Sequence, residues 1–332
     1  KDTLWGTFTV REMIMYTALL KMAGKFTRAQ KAARVDEVIE QMGLGKSKDT
    51  KIGGAMTRGV SGGEAKRISI ALGLLNNPRI LFLDEPTSGL DSATSLDVMG
   101  TVKELAEEGR TVLTTIHGPS GKIFSFYDGI ILLSRDVDTR SGNIVYFGEA
   151  GKVLRGYFEE QGFKYDSDEV DNIAEYVLNI ISGGVRGPQG GNELILHYHE
   201  SEGGELNHNI AEGIAKPLLE DDYSGPADLK KDSESYYANN FFSETFTIFR
   251  YKGKTSFTDP FFLVSRIGLW IMAGLLIDSL YASGNSETPQ GLVIVIAVIF
   301  ITIQITGLIT VIYIPSLVID KPIFIRESND GC

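Results

Sequence analysis

The spacing of apolar and polar positions along this chain changes period several times, and each change marks an element. Thr9-Val10-Arg11-Glu12 sets a hydroxyl three residues before an acid, the pattern of a capping box, and predicts a helix to about Lys21 that Gly24 stops. A second box, Thr27 with Gln30, opens a helix running to Met42 with Gly43 as terminator; Val35, Val38, Ile39 and Met42 form its buried stripe. After Ser61, residues Ala65, Ile68, Leu72 and Leu75 share one helical face, and Asn77-Pro78 ends the helix. Arg79–Leu83 is too short and too apolar for a surface helix and predicts a buried strand. Ser92–Glu108 reads as a helix ended by Gly109, and Thr111–Ile116 as the next buried strand. Gly129–Leu133 and Asn143–Phe147 read as further strands, with Glu149–Gly162 and Asp171–Ile181 as helices that close the domain. Strands alternating with helices predict an α/β sheet.

The pattern lapses between Ser182 and about Ser235. Glycine is frequent there, acids outnumber bases and apolar periodicity is weak, so residues 182–235 read as a flexible acidic linker. His197, His199 and His208 lie in this segment, where a polar linker is favoured over a metal site. Tyr236–Tyr251 is rich in aromatic residues, with Phe242, Phe246 and Phe249 close together on the helix. Phe261–Tyr281 is largely apolar, interrupted by Arg266 and Asp278, and Gly291–Ile319 carries no charged residue. Both have the length of a membrane span, so spans are expected at about 261–281 and 291–315. Arg250, Lys252 and Lys254 precede the first, Lys321 and Arg326 follow the second, and Ala282–Gln290 between them holds no Lys or Arg. The positive-inside rule then places both ends in the cytosol, with an interfacial helix over 236–252.

Composition narrows the picture further. A length of 332 residues implies more than one domain, and a formal charge of −11 argues against nucleic acid as partner. The single cysteine, Cys332, excludes an internal disulfide framework and Cys-based zinc sites.

Candidate chemistry concentrates between Ser61 and Asp91. Ser61, Gly62, Gly63 and Glu64 open a helix with small residues, which leaves backbone N–H groups accessible to an anion at the positive helix end. The apolar strand ends in Asp84-Glu85, placing two adjacent carboxylates at a sheet edge: Asp84 suits Mg²⁺ held through water, and Glu85 suits polarising an attacking water. Asp91 has two readings, as the cap of the following helix or as a residue reaching across a subunit interface. His117 follows the second strand, at the end where α/β sheets bind ligands, and a contact to a γ-phosphate is favoured over a structural role.

In this order and spacing the segments resemble the signature sequence, Walker B, D-loop and switch histidine (Thr114-Thr115-Ile116-His117) of an ATP-binding-cassette ATPase. Together with the ATPase-before-membrane order, the stretches Gly6–Glu12, Val60–Arg67, Leu83–Asp91 and Pro322–Glu327 resemble the G (White, pleiotropic drug resistance) subfamily of these transporters. The resemblance implies the C-terminal two-thirds of a nucleotide-binding domain over 1–181, with a helical subdomain and a RecA-like sheet, and the start of an α-helical membrane domain over 236–332. It implies ATP and Mg²⁺ as cofactors and a homo- or heterodimeric partner half-transporter, in which the signature of one subunit closes over ATP held by the other. The expected activity is ATP-driven export of lipids, sterols or hydrophobic small molecules by an integral membrane protein whose ATPase domain is cytosolic. A non-hydrolysing regulatory subunit and a soluble cassette ATPase are the alternatives. The chain contains no G-x-x-x-x-G-K-[ST] loop, and the resemblance begins in mid-domain and stops just past a span, which reads as truncation at both ends. Glu64 stands where cassettes at large have Gln, as is usual in the G subfamily, and Gly118 stands where the subfamily commonly has Gln.

Overall fold

The computed structural model describes residues 4–53, 58–135, 142–163, 165, 172–181, 191–219, 239, 241–258, 268, 271–272, 274–275, 278–279, 291, 293–301 and 325. The chain divides into two compact units, residues 1–77 with 235–332, and residues 78–234.

The first unit is helical. Helix α1 (Val10–Lys21) and helix α2 (Arg28–Gln41) both begin with the expected capping boxes, Thr9 with Glu12 and Thr27 with Gln30. Helix α3 (Gly62–Leu74) begins with a third, Ser61 with Glu64. In each box the cap hydroxyl accepts one orphan N–H and the third residue's side chain accepts another. Helix α1 is buried on most of its circumference, at Val10, Met13, Ile14, Met15, Tyr16, Thr17, Ala18 and Leu20, as befits a helix enclosed by others. It packs against α2, against α3 and against α10 (Phe241–Thr258), from the far end of the chain. Val35, Val38, Ile39 and Met42 are all buried, as their spacing predicts.

Two contacts tie α10 to α1. At one end the Asn239 side chain donates to the carbonyls of Leu19, Leu20 and Met22 at 3.2, 2.7 and 3.3 Å, satisfying acceptors that the end of α1 leaves open. The buried Lys31 ammonium donates to the Met22 carbonyl at 2.7 Å and the Asn239 amide oxygen at 3.4 Å; burial lowers its pKa. Further along, the rings of Tyr251, Phe8 and Tyr16 meet at 5.3–5.7 Å. The opposite side of α10 carries Phe242, Phe246 and Phe249, at least 64% exposed.

The second unit is α/β. Strand β1 (Ile80–Asp84) pairs in parallel with β2 (Thr111–Thr115) on either side of helix α4 (Ser92–Glu107), a right-sized crossover for a parallel pair. Helix α5 (Gly121–Phe124) leads to an antiparallel pair, β3 (Gly129–Arg135) with β4 (Gly142–Glu149), followed by α6 (Lys152–Glu160) and α7 (Ile173–Ile181). Phe124, Val145, Leu154, Phe158, Val177 and Ile180 build the core beneath this second sheet.

Two expectations change, and a third falls largely outside the described residues. Strands β1 and β2 form where predicted, but only one face is buried: Leu81 is covered, whereas Ile80 and Phe82 are 54% and 74% exposed. Among the described residues no layer covers the face carrying Ile80, Phe82 and Leu113, so the apolar part of β1 presents Ile80 and Phe82 to solvent. The flexible linker expected over 182–235 contains two helices, α8 (Gly191–Glu200) and α9 (Glu202–Leu219), and α8 packs on β4. Leu194, Ile195 and Tyr198 are buried there, one helical turn of apolar contact embedded in polar surroundings. Residues 182–190 and 220–235 of that segment lie outside the described residues. Finally, among the described residues no helix is long and apolar enough to cross a membrane. The spans expected at about 261–281 and 291–315 fall largely outside the described residues, of which 293–301 are helical.

Candidate functional site

In the parallel pair the register sets Asp84 opposite Thr115, the last residues of β1 and β2. Side chains alternate across a strand, so Ile80, Phe82 and Asp84 share a face with Thr111, Leu113 and Thr115. The apolar row therefore ends in a polar pair at the carboxyl edge of the sheet. There the Thr115 hydroxyl donates to Asp84 Oδ1 at 2.6 Å and accepts the Glu85 N–H at 3.0 Å. The Glu85 N–H also reaches the Thr115 carbonyl at 3.2 Å, and the Glu85 carbonyl accepts from the Ser88 N–H at 3.1 Å. Glu85 has φ 46°, a left-handed conformation that costs a non-glycine residue on the order of 1 kcal/mol and here turns the chain directly after the strand. Asp84, Glu85 and His117 are all exposed, and His117 lies two residues beyond β2 at this same edge. Gly118 follows with φ 57°, a conformation that a residue with a side chain rarely adopts.

Asp84 Oδ2 makes no hydrogen bond among the described residues, and no group of three or more metal-ligating side chains occurs among them. A lone, exposed carboxylate fits Mg²⁺, which keeps waters and takes one or two carboxylates plus phosphate oxygens, and does not fit an all-protein Zn²⁺ or Ca²⁺ cage.

Asp91 caps α4, as the first of its two readings expects. Its Oδ1 accepts the N–H groups of Ala93 and Thr94 at 3.1 and 3.0 Å, and Oδ2 accepts the Thr94 hydroxyl at 2.6 Å. The Thr94 side chain and then its backbone hold the Asp91 carboxyl below its ordinary pKa. Between Glu85 and Asp91 the chain turns at Gly89, φ 77°, where a conformation open to glycine is required.

In the helical unit, Ser61 and Gly62 are exposed at the start of α3 and Gly63 is buried. Glu64 Oε2 accepts the Ser61 N–H at 2.8 Å and its hydroxyl at 2.9 Å. Burial pushes the Glu64 carboxyl up, but hydrogen bonds from Ser61 and Ser47 and the charge of Arg67 outweigh it and hold the pKa below its ordinary value. The helix start thus combines open N–H groups with a fixed carboxylate.

Thr115 was missed from the sequence as a member of the site, although it stands in the switch stretch. Its signal was the pairing of two strand ends, which becomes visible only once the register is known. Its neighbour Thr114 faces the other way and shares a 2.6 Å hydrogen bond with the Tyr127 hydroxyl.

A family profile described as ABC transporter matches residues 1–88. The broad substrate specificity ATP-binding cassette transporter ABCG2 of Sus scrofa is 31% identical over 352 aligned residues, covering 99% of this chain and 51% of the relative. ABC transporter G family member 14 of Arabidopsis thaliana is 43% identical over 182 residues, 55% of this chain and 27% of the relative. The family match and the similarity over 99% of the chain support a G-subfamily ATP-binding-cassette transporter. It spans about half the length of the ABCG2 relatives it matches, 51% in each of two mammalian cases. Among solved structures, a dimeric post-hydrolysis state of the ATP-binding cassette MJ0796 bound to ADP and Pi shares 28% identity at a TM-score of 0.32, over 39% of this chain and 54% of that one. Ser61–Glu64, β1 with Glu85, Gly89–Asp91 and His117 are the stretches whose order and spacing resemble the signature, Walker B, D-loop and switch of that subfamily.

Proposed function

We propose that this chain is part of a half-transporter that hydrolyses ATP at a dimer interface and moves lipids, sterols or hydrophobic small molecules across a membrane. The observation that carries this reading is the carboxyl edge of the parallel pair, where Asp84, Glu85 and the following His117 are exposed together at the end of the sheet. Ligands of open α/β sheets bind at that edge.

Bound Mg²⁺–ATP supplies the phosphoanhydride to be cleaved and a divalent charge on its oxygens. Asp84 would hold the metal's water shell through its open oxygen. Glu85 orients and polarises the attacking water, and His117 contacts the γ-phosphate. Ser61, Gly62 and Gly63 contact the nucleotide of a partner half-transporter at the positive start of α3, where Glu64 holds the Ser61 N–H and fixes the turn. Asp91 shapes the segment beyond Glu85 by capping α4, and in this reading it also reaches toward the partner half-transporter. The partner is a second half-transporter, identical or different.

The membrane part of the reading places spans at about 261–281 and 291–315, with both ends cytosolic. The exposed Phe242, Phe246 and Phe249 on α10, beside Arg250 and Lys252, support its lying at the bilayer surface. The same helix is clasped to α1 by Asn239 and Tyr251, so movement of the helical unit has a direct route to it.

The test is ATP turnover by the full-length protein in lipid nanodiscs. Glu85→Gln removes a carboxylate that acts only in the transition state, and turnover falls by about a hundredfold or more. Unchanged turnover would remove Glu85 from the chemistry.

A further inference from the structure

Walker B acids and a switch histidine need a fixed relation to each other, yet they belong to different strands separated by a whole crossover helix. In this chain a single side chain bridges them. The Thr115 hydroxyl donates to Asp84 Oδ1 at 2.6 Å and accepts the Glu85 N–H at 3.0 Å, and Thr115 lies two residues before His117. We propose that Thr115 is a positioning residue for ATP hydrolysis: its hydroxyl sets the rotamer of Asp84 and the backbone of Glu85 from the strand that leads into the switch histidine. This rests on the ATPase reading of the site given above.

Three features make the contact more than a sheet-edge hydrogen bond. A hydroxyl is both donor and acceptor, and here each capacity is used on a different carboxylate residue. By occupying Oδ1, Thr115 leaves Oδ2 of Asp84 as the oxygen open toward a cation, which fixes the direction from which the metal's water shell is held. Glu85 has φ 46°, and a residue in that sparsely populated region persists only when its surroundings over-determine it. Its N–H is held by both the hydroxyl and the carbonyl of Thr115, and its carbonyl by the Ser88 N–H. Removing the hydroxyl leaves the strand pairing intact, frees Asp84 Oδ1 and leaves the Glu85 N–H on the Thr115 carbonyl alone.

The experiment compares Thr115→Val and Thr115→Ser in the full-length protein, with Glu85→Gln as control. Valine keeps the β-branched shape that suits a strand, and serine keeps the hydroxyl alone. The first readout needs no nucleotide: NMR hydrogen exchange of the Glu85 amide is expected to be about fivefold to tenfold faster in Thr115→Val, as for loss of one ordinary hydrogen bond, and unchanged in Thr115→Ser. The second is turnover against Mg²⁺ concentration. Thr115→Val is expected to lower kcat by about tenfold and raise the Mg²⁺ needed for half-maximal rate, with the KM for ATP little changed; Thr115→Ser stays near the parent. Normal exchange in Thr115→Val, or faster exchange with normal turnover and Mg²⁺ demand, overturns the proposal. So does a Thr115→Ser protein as impaired as Thr115→Val. If Glu85→Gln turns over ATP normally, the role of Glu85 in the chemistry fails by itself, and the amide exchange still decides whether Thr115 holds Glu85.

Discussion

Both halves of the candidate nucleotide chemistry set a hydroxyl against an acid, and they do it by opposite means. In the helical unit the Ser61 hydroxyl and Glu64 carboxylate are three residues apart and 2.9 Å from each other, closed within one turn of α3. In the α/β unit Thr115 and Asp84 are 31 residues apart and 2.6 Å from each other, joined only because two parallel strands adopt one register. The first pair follows from local helix chemistry, stabilises its own helix and survives any rearrangement that keeps the helix intact. The second depends on the whole strand–helix–strand unit and includes a residue with positive φ. Local pairs make rigid surfaces that present N–H groups. Long-range pairs make sites whose geometry is tuned by the sheet, and strain is tolerated where the surroundings hold it.

The largest effect on this contrast belongs to the sheet edge. His117→Ala in the full-length protein is expected to reduce ATP turnover by about a hundredfold or more while leaving the melting temperature within a few degrees, because the side chain is exposed. Near-normal turnover would take His117 out of the site and leave the edge with carboxylates alone.

A smaller effect is expected on the helical side, away from the nucleotide. Asn239→Ala leaves the carbonyls of Leu19, Leu20 and Met22 without their long-range donor and removes an acceptor from buried Lys31. The expected loss is about 1–3 kcal/mol of stability, read by chemical denaturation, together with faster hydrogen exchange in α10. Exchange in α10 equal to the parent's would show that the aromatic contacts of Tyr251 hold this helix without the clasp.

The smallest effect sharpens the local pair itself. Glu64 has its folded-state pKa held below the ordinary value, so the unfolded chain binds its proton more readily. The stabilisation is therefore fully present above the unfolded pKa and disappears as pH falls through the folded one. Against Glu64→Gln, the parent's stability advantage should shrink as pH is lowered from neutrality through the acid range. A difference independent of pH would mean that Glu64 acts through its shape and hydrogen bonds rather than its charge.

Much of the fold was legible because its signals are local. The boxes at Thr9, Thr27 and Ser61 formed as their spacing implies, and Asp91 capped the helix that its position announced. Strands β1 and β2 were visible as apolar runs, but exposure of Ile80 and Phe82 was not, since an apolar side chain does not state whether a layer will cover it. Helices α8 and α9 were hidden for another reason. Glycines and acids around Leu194, Ile195 and Tyr198 masked one short apolar turn, and its partner, β4, lies some fifty residues earlier in the chain. The same limit applies to the site: Asp84 and Glu85 were readable as adjacent acids, whereas Thr115 and the left-handed turn at Glu85 are products of tertiary register.

The most direct test of the central claim, that this sheet edge cleaves ATP, is the nucleotide content of the full-length Glu85→Gln protein after incubation with Mg²⁺–ATP and removal of free nucleotide. If Glu85 polarises the attacking water, the variant retains uncleaved ATP in a closed dimer, and the parent retains chiefly ADP or nothing. ADP formed by Glu85→Gln at the parent's rate would contradict the account and place the hydrolytic base elsewhere.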